Sequence, residues 1–395
     1  MAAIRVLVVD DSALARKLIS DALSGDPDIE VVGTAANGKI ALDKLRQLKP
    51  DVVTLDIEMP ELDGLQTLVE IRKAHPKLPV IMCSTLTERG AISTLEALAV
   101  GASDYITKPT GSESTAASVN HIRDQLTRRV RALSHAPPAM VGAALAEPPA
   151  PRVVVKPARP APAPAAPAPD PRPAARRPSH AALDTNGVVA IGASTGGPAA
   201  LSALLPKLVR EVHLPIVIVQ HMPPVFTAQF AARLATLSGI DVREGADGDV
   251  LEAGRAWVAP GDYHMALVPD GLTVRIALNQ GPPENSCRPA VDVLFRSVAA
   301  AYGRRAIAVV LTGMGQDGLV GAREIRAAGG QVLAQDEASS VVWGMPGALA
   351  RHNVAHAVLP LDQLDAEVAD RARGLPATGR VSYAMLPPRE VSRGH

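Results

Sequence analysis

From Pro137 to Pro178 the chain is built almost only of Pro, Ala and Arg, and PAPAPAAPAPDPRPAARRP is representative. Fourteen of these 42 residues are proline. Proline has a fixed φ and no N–H, so neither helix nor sheet runs through such a stretch. An extended, semi-rigid, mildly basic spacer is predicted, reaching up to ~130 Å at ~3.1 Å per residue. Whatever folds among the 395 residues therefore folds as two parts, one on either side. VVVK at 153–156 is the apolar interruption, and a docking strand is one reading of it. The boundaries that follow are 1–133, a linker at 134–182, a second part at 183–374 and a loose tail at 375–395.

The first part alternates two periodicities. IRVLVVDD, IEVVGTAAN, DVVTLDIEMP, PVIMCST and SDYITKP read as strands, and each is followed by a helical stretch. The last, SVNHIRDQLTRRVRALS, puts Val119, Ile122, Leu126, Val130 and Leu133 on one face. Near-continuous apolar strands in five βα units predict a parallel sheet covered on both faces. The second part repeats this grammar, from GVVAIGAS through LPIVIVQH, AWVAPGD and AIAVVLTGMG to GGQVLAQDE. HMALVPDGLTVRIAL reads as a hairpin turning at Asp270-Gly271. The expected class is α/β throughout: a flavodoxin-like (βα)5 domain, then a doubly wound, mainly parallel domain with a β-hairpin.

Composition removes several functions. Forty basic residues balance 40 acidic ones, so no global field favours nucleic acid or a membrane surface. Aromatics make up 2% of the chain, which leaves few platforms for stacking bases. Cys83 and Cys287 are too few for a disulfide framework or a cysteine zinc site. No apolar run reaches the ~18 residues of a membrane helix, and the N-terminus reads as a strand rather than a signal peptide. A cytoplasmic protein is expected.

Parallel sheets gather function at the carboxyl ends of their strands. In the first part those ends carry Asp10, Asp11, Asp56, Ser84 and Lys108. Clustered carboxylates repel unless a hard cation such as Mg²⁺ joins them. A metal and a lysine around one carboxylate stabilise a phosphoryl group placed on it. The plainer reading makes these acids helix caps. VLVVDDS, TLDIEMPELDG, MCSTLT and DYITKP together resemble the receiver domain of bacterial response regulators, over about Ile4 to Leu133. The resemblance implies phosphorylation of Asp56, Mg²⁺ held through Asp11 and Asp56 with Asp10 assisting, and Lys108 on the phosphoryl group. It further implies a switch hydroxyl at Ser84, a switch aromatic at Tyr105 and a cis bond before Pro109.

In the second part, Gly192-Ala193-Ser194-Thr195-Gly196 fits the G-x-S-x-G of a nucleophile elbow. His221 ends the next strand, and Asp317 follows AIAVVLT inside GMGQDG. With the three gathered at one edge, Ser194 would attack a carbonyl, His221 would shuttle its proton and Asp317 would hold the imidazole. Backbone N–H groups of Met314 and His221 are candidates for an oxyanion hole. Taken singly, each residue has another reading. Ser194 can cap a helix or bind phosphate at its N-terminus, His221 can be a core histidine, and Asp317 can cap LVGAREIRAAG. GMGQDG also fits G-x-G-x-x-G, with Asp336 placed as a ribose-binding acid. An α/β-hydrolase would order its triad Ser, acid, His and would use His352 or His356.

VAIGASTGGPAAL, VIVQHMPPVFT, NSCRPAVDVLFRSVA, VVLTGMGQDGLVGA and QDEASSVVWGMPGAL look like the catalytic domain of the chemotaxis protein-glutamate methylesterases, over about Gly187 to Gly374. That family's motifs place its serine, histidine and aspartate on Ser194, His221 and Asp317. The resemblance implies hydrolysis of glutamyl methyl esters on chemoreceptors and deamidation of certain receptor glutamines, with no cofactor for the esterase. A chemotaxis histidine kinase would be the phosphodonor. Arg288 and Asp292 lie outside the triad and either line the cleft or order its loops. Two rivals stay open: a phosphorylation-controlled binding module without hydrolase activity, and a DNA-binding response regulator. The second lacks a basic recognition helix.

Overall fold

Mostly apolar runs three to seven residues long, bounded by acids, glycines and prolines, become strands, and the amphipathic stretches between them become helices. The structure, a computed structural model, describes residues 3–108, 116–134 and 187–374. The linker with its VVVK stretch, the tail and the bond before Pro109 lie outside the described residues, as does the side chain of Val119.

The first unit runs β1 (Ile4–Val9), α1 (Ala13–Ser24), β2 (Ile29–Ala35), α2 (Gly38–Leu48), β3 (Val52–Asp56), α3 (Gly64–Ala74), β4 (Val80–Ser84), α4 (Glu88–Val100), β5 (Asp104–Thr107) and α5 (Ala116–Ser134). Its sheet is wholly parallel, in the order β2-β1-β3-β4-β5. The expected helical face is buried at Ile122, Leu126, Val130 and Leu133.

The second unit runs β6 (Val188–Ala193), α6 (Gly197–Glu211), β7 (Ile216–Gln220), α7 (Phe226–Ser238), β8 (Asp241–Glu244), β9 (Arg255–Val258), β10 (His264–Asp270), β11 (Thr273–Asn279), α8 (Val291–Tyr302), β12 (Ala306–Val310), α9 (Leu319–Ala327), β13 (Gln331–Gln335), α10 (Met345–Arg351), β14 (Ala357–Leu359) and α11 (Leu361–Ala372). Seven parallel strands order as β14-β13-β12-β6-β7-β9-β8, and β10 and β11 form the separate antiparallel hairpin. From β6 the chain winds outward through β7 and later returns to β12 on the other side. The sheet thus reverses direction beside β6, and a crevice opens there at the carboxyl edge.

The two units touch. α4 packs on α6 and α7. Leu95, Leu98 and Tyr105 of the first unit belong to the same buried apolar cluster as Phe226 and Phe230 of the second. The Tyr105 and Phe226 rings stack at 5.0 Å with 7° between their planes.

Candidate functional site

In the first unit, register brings the strand-end acids together. Oxygens of Asp10, Asp11 and Asp56 lie within 4.8 Å of one another, with Asp10 and Asp56 buried and Asp11 exposed. The Lys108 ammonium reaches in from the end of β5 and lies 2.7 Å from both Asp10 Oδ2 and Asp56 Oδ1. Burial works against the lysine's charge, but its hydrogen bonds to the two carboxylates outweigh that and raise its pKa. Burial also pushes the Asp56 carboxyl up, against the pull of Lys108. Asp56 Oδ1 accepts from Ile57 N–H as well, at 2.8 Å. Among the described residues no hydrogen bond reaches Asp56 Oδ2. An oxygen-only set of three acids fits a hard divalent cation. Ser84 Oγ is buried and donates to the Gly90 carbonyl at 3.1 Å. Tyr105 does not face the acids: its ring lies on Phe226.

The second site forms around the crevice beside β6. Ser194 follows β6 in a turn whose Gly196 has φ 78°, a conformation side chains with a Cβ avoid. Ser194 N–H donates to the Thr312 carbonyl at 3.1 Å. Gly313 lets the GMGQDG loop close on the serine, because a Cβ there would stand 2.8 Å from Ser194 Cβ. His221 follows β7, next to β6. Its Nε2 lies 2.8 Å from Asp317 Oδ2.

Asp317 is almost saturated with donors. Oδ1 accepts from Asn285 Nδ2 at 3.0 Å, Asp292 N–H at 3.0 Å and Gly318 N–H at 2.9 Å. Oδ2 accepts from Val291 N–H at 2.7 Å besides the imidazole. Burial disfavours the charge, yet the His221 contact and these N–H groups hold the carboxyl below its ordinary range. Burial likewise opposes the imidazolium, but hydrogen bonds to Asp317 and Cys287 lift His221 to about 10. The Cys287 sulfur sits 3.5 Å from His221 Nδ1. Among the described residues no hydrogen bond joins Ser194 Oγ to the imidazole. The turn, the base and the acid thus share one edge, with the base's outer nitrogen facing a thiol rather than the serine.

One expectation needs correction. The His221 N–H donates to the Ala193 carbonyl at 3.1 Å, as part of the β6–β7 pairing, so it has no hydrogen left to offer an oxyanion. Met314 N–H makes no hydrogen bond among the described residues and keeps that capacity. Arg288 and Asp292 order loops. Arg288 holds Asp262 through Nη2 at 2.5 Å and the Gly281 carbonyl through Nη1 at 2.9 Å. Asp292 is buried; its Oδ1 accepts from Gly321 N–H at 2.7 Å and its Oδ2 from Asn285 Nδ2 at 3.0 Å. Asn285 and Cys287 were not singled out from sequence. They lie in NSCRPAVDVLFRSVA, a stretch that carries the family resemblance, but nothing in it marks a role for either residue.

The rival readings lose their geometry. His356 accepts from Val332 N–H through Nδ1, near the amino end of β13 and away from Ser194, and His352 is an exposed helix C-cap. A phosphate cradle needs free N–H groups, but those of Gly313 and Gly318 are bound to Val342 and Asp317. Asp336 is occupied by Ser339, whose N–H and hydroxyl both donate to Oδ1. No helix of the described residues is long and apolar enough to cross a membrane.

Both units are similar to known proteins. Residues 189–368 match the family model of CheB methylesterase, and residues 6–120 match that of the response regulator receiver domain. The chain is 50% identical over 371 residues to a protein-glutamate methylesterase/protein-glutamine glutaminase of Nocardioides sp., covering 94% of this chain and 96% of that protein. A protein of the same name from Trichodesmium erythraeum is 49% identical over 368 residues, with 93% and 98% covered. The crystal structure of the Thermotoga maritima CheB methylesterase catalytic domain is 39% identical, covers 47% of this chain and 98% of that one, and has a TM-score of 0.46.

Proposed function

The chain belongs to the protein-glutamate methylesterase/protein-glutamine glutaminase family, and on that premise we propose that it hydrolyses glutamyl methyl esters and deamidates glutamines on chemoreceptors, under control of its own receiver. It is a hydrolase of chemotaxis adaptation. Residues 1–133 are the receiver, 134–182 the linker, 183–374 the catalytic domain and 375–395 the tail.

The observation that carries the catalytic assignment is the 2.8 Å contact between His221 Nε2 and Asp317 Oδ2 at the edge that bears Ser194. With Nε2 taken by the acid, Nδ1, which faces the Cys287 thiol, is the nitrogen left to act as base. His221 turns from Cys287 toward Ser194 and takes the hydroxyl proton as Oγ attacks the γ-carbonyl carbon. The tetrahedral oxyanion receives a hydrogen bond from Met314 N–H, a donor of the kind worth ~2.7–4 kcal/mol. His221 returns the proton to the departing methoxide, and methanol leaves. Water then attacks the acyl-enzyme by the same route and releases glutamate. A glutamine side chain follows the same path with ammonia as leaving group. Asp317 stays ionised and stabilises the imidazolium.

Asp56 is the phosphoacceptor. Its Oδ2, free of protein donors, is the oxygen that meets a donor's phosphorus. Asp10, Asp11 and Asp56 would hold Mg²⁺, which supplies charge neutralisation on the transferring phosphoryl group when bound. A chemotaxis histidine kinase supplies that group, and the enzyme works in the cytoplasm on the receptors' cytoplasmic domains. Packing supports receiver control: Val342 joins the receiver's apolar cluster, and Met314 and Val341 pack against that cluster. The unphosphorylated receiver shields the Ser194 crevice, and phosphorylation shifts an existing equilibrium toward an open arrangement.

Release of methanol from methylated receptor tests the core of this reading. The Ser194→Ala variant is expected to lose at least about 10⁴-fold in rate. Equal release by variant and wild type would sink it.

A further inference from the structure

We infer that Asp104 of the receiver is a positioning residue for the nucleophile turn: through Thr195 it holds that turn in its resting state. The inference deepens the reading of receiver control and rests on it. Thr195 follows Ser194 directly and is buried. Its hydroxyl donates to Asp104 Oδ2 at 2.7 Å, across the junction of the two units. Asp104 is buried too, and its other partners fix it rigidly. Tyr105 N–H donates to Oδ1 at 2.8 Å, and Arg129 Nε donates to Oδ2 at 3.0 Å. From the opposite side Thr312 Oγ donates to the Thr195 carbonyl at 2.9 Å. The turn is therefore clamped between a threonine of its own unit and a carboxylate of the receiver.

The next residue grips the other arm. Tyr105 stacks on Phe226, the first residue of α7, and α7 follows the loop that begins with His221. Two adjacent residues of one strand thus contact the flank of the serine turn and the end of the histidine loop. A purely steric cover would be indifferent to one carboxylate oxygen at its margin. A buried hydrogen bond to an ionised acceptor is among the stronger polar contacts a protein makes, and losing it shifts a closed–open equilibrium by about tenfold or more.

The test uses the full chain, methylated receptor as substrate, and acetyl phosphate with Mg²⁺ as phosphodonor. Asp104→Asn keeps shape and volume, but an amide cannot accept from Tyr105 N–H on one side and from Arg129 and Thr195 on the other. Asp104→Ala removes every acceptor. Thr195→Val leaves the receiver untouched. All three are expected to raise kcat/KM without donor about tenfold, with Asp104→Asn the mildest, so that the stimulation ratio collapses. The two Asp104 variants are expected to match the wild type once phosphorylated. Phosphoryl uptake at Asp56, read on a phosphate-affinity gel, shows that their receivers are folded. If they take up none, Thr195→Val decides alone. If the wild type is stimulated and the variants without donor keep its unstimulated rate, the Asp104 assignment is wrong. If the donor fails to stimulate the wild type, receiver control falls and the inference falls with it.

Discussion

Asp56 and Asp317 each stand at the carboxyl edge of a parallel sheet, one at the end of β3 and one just past β12, yet the protein surrounds them in opposite ways. Asp317 accepts five hydrogen bonds, spread over both oxygens. Asp56 has two partners, Ile57 N–H and the Lys108 ammonium, both on one oxygen. A carboxylate saturated with donors stays ionised and immobile, which suits the orienting acid of a triad. A buried carboxylate with one oxygen unclaimed is poorly solvated and available for reaction, which suits a group that must accept phosphorus. The same topological address yields an anchor or a nucleophile according to how many donors reach it.

The comparison breaks first at Asp317. Asp317→Asn is expected to cut methanol release by about 10³–10⁴-fold, because an amide cannot fix the imidazole or stabilise its charged form. The sign of the accompanying pH shift is fixed. Asp317 lifts the His221 pKa, and the rate requires neutral His221. The residual activity of the variant should therefore rise with pH at lower values than that of the wild type, and a kcat/KM profile that does not move down would contradict the pairing. A smaller effect is expected at the unsaturated carboxylate. Asp56→Asn loses all stimulation by acetyl phosphate, and chelating Mg²⁺ does the same to the wild type; continued stimulation in either experiment would remove Asp56 from its role. Asn285→Ala sharpens the donor argument. It takes one hydrogen bond from Asp317 and the bridge between Asp317 and Asp292, and is expected to cost about tenfold in kcat. An unchanged kcat would mean that the remaining four donors already suffice.

The architecture was legible because strand ends do most of the gathering here. Once five apolar runs are read as parallel strands, Asp10, Asp56, Ser84 and Lys108 have to meet at one edge, and the same logic brings Ser194, His221 and Asp317 to another. What the sequence hid depends on loops and on contacts between units. Asn285 and Cys287 reach the histidine–aspartate pair from an irregular stretch with no period. Asp104 reads as an ordinary strand residue until Thr195 lies against it. For the His221 N–H, nearness to the site is legible in the sequence but its pairing with the Ala193 carbonyl is not. α11 is a different case: Leu361, Leu364 and Val368 have helical spacing in LDQLDAEVADRA, but the stretch is short and lies between a three-residue strand and a Pro-containing tail, which leaves its period with little flanking support.

One feature of β5 has a consequence for how this protein can change over generations. The strand leads directly into Lys108, which pairs with Asp56, and begins at the residues that touch the serine turn and the α7 aromatic, only ~13 Å away at ~3.3 Å per residue. Input and output share a single stiff element with no joint between them. Under the proposed receiver control, a substitution along it would alter both how strongly the phosphorylated state is felt and how firmly the silent state is held. Sensitivity and background are therefore coupled traits, and drift or selection acting through this strand moves both together.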